Sequence, residues 1–129
     1  MSPAAEALDA LSRAFAARDV AAALACFVDD DEVIYSGSEV GEVAAGRAEL
    51  QVLFAALFQR DVAYSWHATD VRWSCRNDLM LVAACATGHA RGRGPGADED
   101  FAYRLTGVLS RQTDGWRWLH LHGAEPTNG

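Results

Sequence analysis

The stretch Phe101–Gly123, FAYRLTGVLSRQTDGWRWLHLHG, decides the fold. Its apolar side chains recur with a period of two on both sides of Thr113-Asp114-Gly115, which is how two extended strands joined by a hairpin loop are written. Glycine at the left-handed position closes that loop. Working back toward the N-terminus, the same period holds over residues 79–91 and 62–76, with Arg76-Asn77-Asp78 as the tight turn between them. Gly92-Arg93-Gly94-Pro95-Gly96 begins a longer connection that runs through Asp98-Glu99-Asp100. Strands over 62–76, 79–91, 101–112 and 116–123 with hairpin links predict an antiparallel meander. Strands this long twist and curl.

Upstream of residue 62 the period is helical. Ser2 caps a helix with Pro3 in its first turn, and Leu8, Leu11 and Phe15 form one apolar stripe to about Arg18. Asp19 caps a shorter helix in which Val20, Leu24 and Phe27 share a face. Val33-Ile34-Tyr35 is a short β run, and Ser36 to Gly46 turns or forms a brief hairpin. A third helix follows Gly46, with Glu49 near its positive end and a wide apolar face of Leu50, Leu53, Phe54, Leu57 and Phe58, so it should be largely enclosed. A sheet with one face to bury and three amphipathic helices to bury it give a single α+β domain over residues 1–129, with 124–129 as a frayed tail. A curled antiparallel sheet wrapped over a buried helix leaves an opening at its wide end, and that opening is the expected pocket.

Composition narrows the partners. Half of the 129 residues are hydrophobic, enough for one sizeable core. The formal charge is −7, and no basic stripe is present, which argues against nucleic acid and anionic membrane surfaces. The acidic runs Asp29-Asp30-Asp31-Glu32 and Asp98-Glu99-Asp100 read as solvated loops, since neither has calcium-loop spacing. Three cysteines, Cys26, Cys75 and Cys85, without a secretory leader read as reduced, buried thiols in a cytoplasmic protein. No apolar segment approaches the roughly 20 residues of a membrane span.

Several phrases resemble the nuclear transport factor 2-like superfamily, specifically its SnoaL-like, ketosteroid-isomerase-like branch. They are Ala17-Arg18-Asp19-Val20 leading to Phe27-Val28-Asp29-Asp30-Asp31, then Gly46-Arg47-Ala48-Glu49-Leu50, Arg104-Leu105-Thr106-Gly107-Val108-Leu109, and Asp114-Gly115-Trp116-Arg117-Trp118-Leu119-His120-Leu121-His122. The resemblance covers nearly the whole chain. It implies a cone-shaped α+β barrel, often dimeric, with a ligand pocket inside the cone. It does not fix an activity, because this fold hosts enzymes, binders and assembly domains alike. Ketosteroid isomerase uses strand carboxylates with a tyrosine beside them. No Asp or Glu lies between Phe101 and Arg111 or between Trp116 and His122, and Asp70 is the acid well inside a strand, so steroid isomerisation is disfavoured.

The candidate chemistry sits on the last two strands. A three-residue loop with a glycine bulge pairs Gln112 with Trp116, Ser110 with Trp118, Val108 with His120 and Thr106 with His122. A two-residue turn instead shifts the register by one and sets Leu109 opposite His120. Alternation puts Trp116, Trp118, His120 and His122 on one face, assigned inward, with Arg104, Thr106 and Val108 beside them. His120 and His122 are then candidate catalytic residues, an acid–base pair. Arg104 and Thr106 would orient a polar group of the ligand, and Trp118 would form a wall. Tyr35, Phe54, Phe58 and Trp73 are further candidates for the lining, with core packing as the alternative for each. His120 and His122 also read as satisfied interior histidines. His-x-His could ligate one ion and Glu125 follows close by in sequence, but beyond the two histidines no ligand is evident, so no metal or other cofactor is assigned. His67 and His89 read as surface or satisfied residues.

Three functions fit these readings. The first is a cofactor-independent isomerase, cyclase or hydratase acting on a compact, largely apolar small molecule. The second is a non-catalytic ligand binder. The third is an assembly module, with Leu119 and Leu121, together with Leu79, Leu81 and Ala83, forming an outer apolar patch. A homodimer is expected under all three.

Overall fold

A computed structural model of the chain describes every residue except 93, 95, 97, 128 and 129. The first helix, α1 (Pro3–Ala17), begins where its cap dictates: the Ser2 hydroxyl accepts the Ala5 N–H at 3.1 Å, with proline just inside. It ends at Arg18, whose left-handed backbone (φ 54°) lets the chain reverse. Asp19 caps α2 (Val20–Ala25) by accepting from Ala22 N–H. Next come β1 (Ile34–Ser36), β2 (Val43–Ala45) and α3 (Arg47–Leu57). The four long strands follow as β3 (Ala63–Arg76), β4 (Leu79–Arg91), β5 (Glu99–Gln112) and β6 (Gly115–Ala124).

The six strands form one sheet in the order β2-β1-β6-β5-β4-β3. The long strands make the expected antiparallel meander. The brief hairpin β1–β2 adds to it with β1 parallel to β6, so the sheet is mixed rather than wholly antiparallel. Parallel pairing is open to β1 because it reaches β6 from far upstream in the chain rather than through a hairpin. β6 continues through Ala124, one residue into the segment expected to fray. Arg93, Pro95 and the last two residues of that tail lie outside the described residues.

The core fills the concave face of this sheet. Met80, Val82, Ala84 and Ala86 of β4 and Leu105 and Leu109 of β5 are buried beneath Leu8, Leu11 and Phe15 of α1 and Leu50, Phe54 and Leu57 of α3. Expected to be largely enclosed, α3 buries only one side, and Val52 on its other side is 70% exposed. A polar latch holds α1 to β3. The Ser12 hydroxyl donates to the Trp66 carbonyl at 2.7 Å and accepts the Trp66 N–H at 2.8 Å, while the Trp66 indole donates to the Leu8 carbonyl at 3.0 Å. A serine inside an apolar helix face is stable there because its polar capacity is used.

The β5–β6 hairpin keeps the expected pairing of Val108 with His120 and Thr106 with His122 but departs from it near the loop. Its loop is the two residues Thr113-Asp114, so Gln112 pairs with Gly115, Arg111 with Trp116 and Leu109 with Trp118. One extra residue, Leu119, then bulges out of β6, and the pairing resumes with Val108 opposite His120 and Thr106 opposite His122. A bulge flips every side chain beyond it. Trp118 therefore points into the core, fully buried, and beyond the bulge Leu121 and Gly123 are the buried residues. Gly107 makes the bulge possible, because a Cβ there would stand 2.2 Å from the His120 carbonyl oxygen.

The inward assignment of the histidines is accordingly corrected. His120 and His122 lie on the convex face, beside Ile34 and Ser36 of β1 and Val108 and Thr106 of β5. Leu121 leaves the outer patch for the core, whereas Leu79 and Leu81 remain outside, 39% and 52% exposed. The thiols are corrected too: Cys26 is half-buried, and Cys75 and Cys85 are exposed.

Candidate functional site

Beyond β1 the chain turns tightly before returning as β2, and this turn aims a carboxylate inward. Gly37 N–H donates to the Glu42 carbonyl at 2.7 Å, and Glu42 N–H to the Glu39 carbonyl at 3.2 Å. The Glu42 side chain folds back into the turn, where its Oε1 accepts the Glu39 N–H at 3.0 Å. Glycine at position 37 leaves room for this fold-back, since a Cβ there would lie 2.6 Å from Oε1 and 2.9 Å from Cβ of Glu42 and would push the side chain out of the turn. The Glu42 side chain is 9% exposed. Burial raises its pKa above the ordinary carboxylate value, and the Glu39 N–H and Arg60, 3.9 Å from Oε2, oppose the shift without cancelling it.

Two phenols share this region. Tyr35 on β1 is buried, and Tyr103 comes from the inward face of β5. Burial pushes the Tyr103 hydroxyl up to about 12, with repulsion from Glu42, Glu125 and Glu39 adding to the effect and a hydrogen bond with Ser38 opposing it. Burial also raises Tyr35 well above the ordinary phenol value, with contributions from Tyr103 and Glu42. Both phenols therefore keep their protons at neutral pH and can donate a hydrogen bond to a ligand.

These groups border a cavity of about 250 Å³ at the open end of the cone. Its aromatic walls are Phe15, Tyr35, Tyr64, Trp66, Phe101 and Tyr103. The rings hold one another: Phe101 meets Tyr103 edge-on at 5.7 Å, Trp66 lies 6.2 Å from Tyr103, and Phe15 lies 5.1 Å from Trp66. The polar lining comprises Ser38, Ser65, Glu39, Glu42, Glu99 and Glu125. A fixed carboxyl with a raised pKa, facing phenolic donors across an aromatic cavity, can move a proton to or from a small ring-bearing molecule.

Of the nine site residues expected from the sequence, Tyr35 alone lines this cavity. Phe54 and Phe58 are buried in the core, with their rings packed against Phe15. Trp118 is also core. Trp73 is half-exposed and, with Thr106 and His120, borders a shallow depression on the sheet instead. Arg104 and His122 are exposed on the convex face. Asp70 pairs there with Cys85 and forms an ion pair with Arg72. His89 is satisfied, its Nδ1 2.8 Å from Asp100. Among the described residues, no three His, Cys, Asp or Glu side chains converge as a metal site would require.

One signal for the missed residues was present. Phe101, Tyr103, Leu105, Gly107 and Leu109 alternate as the more apolar face of β5, and reading that face as inward would have placed both rings in the pocket. No comparable pattern marks Glu42, which lies in a Gly/Ser/Glu stretch that reads as a solvated turn.

Comparison with known proteins places the fold. A candidate dehydratase of the NTF2-like family from Streptomyces avermitilis superposes with a TM-score of 0.80 at 20% identity, over 95% of this chain and 92% of that one. A ketosteroid isomerase-like protein from Erwinia carotovora atroseptica gives 0.70 at 22%, over 96% and 95%. A candidate calcium/calmodulin-dependent protein kinase type II association domain from Thiobacillus denitrificans gives 0.74 at 24%, over 94% and 93%. At these identities the likeness shows the fold alone. No curated protein matches the sequence. The family model of the SnoaL-like domain matches residues 4–127, and the chain belongs to that family.

Proposed function

We propose that the cavity is the active site of a cofactor-independent acid–base enzyme, of the isomerase, cyclase or dehydratase kind, acting on a compact ring-bearing small molecule. The observation that carries this reading is Glu42, a buried carboxyl with a raised pKa in an aromatic cavity beside Tyr35 and Tyr103. Glu42 takes a proton from carbon next to a carbonyl, and a tyrosine hydroxyl donates a hydrogen bond to the oxygen on which negative charge collects. The protonated Glu42 then returns the proton to another carbon, which isomerises the substrate, or to a departing hydroxyl, which completes a dehydration. A raised carboxyl pKa brings both directions of transfer closer to balance at neutral pH. Two structural neighbours, a candidate dehydratase and a ketosteroid isomerase-like protein, fit this chemistry. Two exposed free thiols, Cys75 and Cys85, favour a reducing compartment such as the cytoplasm.

The test is exchange of the α-protons of 2-tetralone in deuterium oxide, followed by proton NMR. Glu42→Gln is expected to lower the protein-catalysed rate by roughly a hundredfold or more. His120→Ala/His122→Ala should leave it within about twofold, since neither histidine lines the cavity. An unchanged rate in Glu42→Gln would remove the basis of the proposal.

The convex face supports a second, compatible element of this reading, a homodimer. Trp73, Leu79 and Leu81 are large apolar side chains left 39–52% exposed. A second copy seated on this face would cover them, as the dimer expected from the sequence requires.

A further inference from the structure

Among the described residues, the cavity lining contains four carboxylates, from Glu39, Glu42, Glu99 and Glu125, and no basic side chain. Arg60 approaches from outside the lining. Its guanidinium lies 3.1 Å from Glu39 and 3.9 Å from Glu42, so one cation is divided between two acids. Glu42 is nearly withdrawn from water, where an unpaired negative charge costs most. Aromatic rings make up the rest of the walls, and the face of such a ring attracts a cation and not an anion. An anionic ligand would meet repulsion from each of the four carboxylates. A neutral one would leave the acids as poorly compensated as before.

Resting on the reading of this cavity as the ligand site, we propose that its natural ligand carries an ammonium group: a compact, flat ring with a protonated amine, drawn by the summed charge of Glu39, Glu42 and Glu125 and seated among the aromatic rings of the lining, Trp66 and Tyr103 included. The amine supplies the positive charge that the lining lacks, and the ring fills the aromatic part of the 250 Å³ space. This excludes carboxylated and phosphorylated metabolites as substrates.

The experiment is isothermal titration of the full chain at pH 7 with three probes of nearly one shape: benzylamine, benzyl alcohol and benzoate. Benzylamine, protonated at that pH, is expected to bind about tenfold tighter than benzyl alcohol, with benzoate weakest. Glu39→Gln/Glu125→Gln should close most of the gap between amine and alcohol while leaving alcohol binding within about twofold. Equal binding of amine and alcohol, an undiminished preference in the double variant, or no binding of any probe overturns the inference. The two readings fail separately. Equal binding of amine and alcohol with exchange lost in Glu42→Gln refutes the ammonium ligand and leaves the acid–base enzyme. An amine preference with exchange unaffected by Glu42→Gln does the reverse.

Discussion

Glu42 is held where its charge is disfavoured, and the linkage between proton binding and folding makes that measurable. Its folded pKa lies above its unfolded value, so its contribution to stability is complete below the ordinary carboxylate range. That contribution is lost as pH rises through the raised folded value. The difference in melting temperature between the wild type and Glu42→Gln is therefore expected to move against the wild type across that window. Asp100, which hydrogen bonds from His89 and Arg91 hold below its ordinary value, slopes the other way in both proteins and drops out of the difference. Thermal melts from acid to neutral pH provide the check, and a difference that stays flat would mean Glu42 titrates normally. At this scale the sequence was least legible. Two histidines in one strand advertise chemistry, whereas a glutamate in a loop does not, and only the tight turn over Gly37 buries it.

Strand β6 shows why element-level reading succeeded in outline and failed in detail. The four long strands, their turns and the three helices follow from periodicity and caps, because each is set by neighbours a few residues away. Facing on β6 depends instead on the single bulged residue Leu119 and on the glycine across from it. No local pattern encodes such an insertion, since Trp116-Arg117-Trp118-Leu119-His120-Leu121-His122 alternates without a break. Gly107→Ala puts a methyl against the His120 carbonyl and is expected to cost about 1–3 kcal/mol, read from the urea midpoint at constant slope. A substitution costing nothing would mean that the strands are farther apart at the bulge than described.

As a whole molecule, the chain divides its two sheet faces between tasks. The concave face carries the core and, at its open end, the cavity. The convex face carries the histidines and the exposed Leu79 and Leu81. Sedimentation equilibrium is expected to show a dimer, converted to monomer by Leu81→Asp, and a monomeric wild type would count against the second copy. The cone and the existence of a pocket were legible because layer packing leaves few arrangements for these elements. Which side chains line that cavity was not. The most direct measurement is NMR titration with 2-tetralone, following the Glu42 side-chain carboxyl, the Tyr35 and Tyr103 rings, and the His120 and His122 imidazoles together. Saturable shifts at Glu42 and the two tyrosines with silent imidazoles are expected. Shifts at the imidazoles with Glu42 and Tyr103 unmoved would contradict the account.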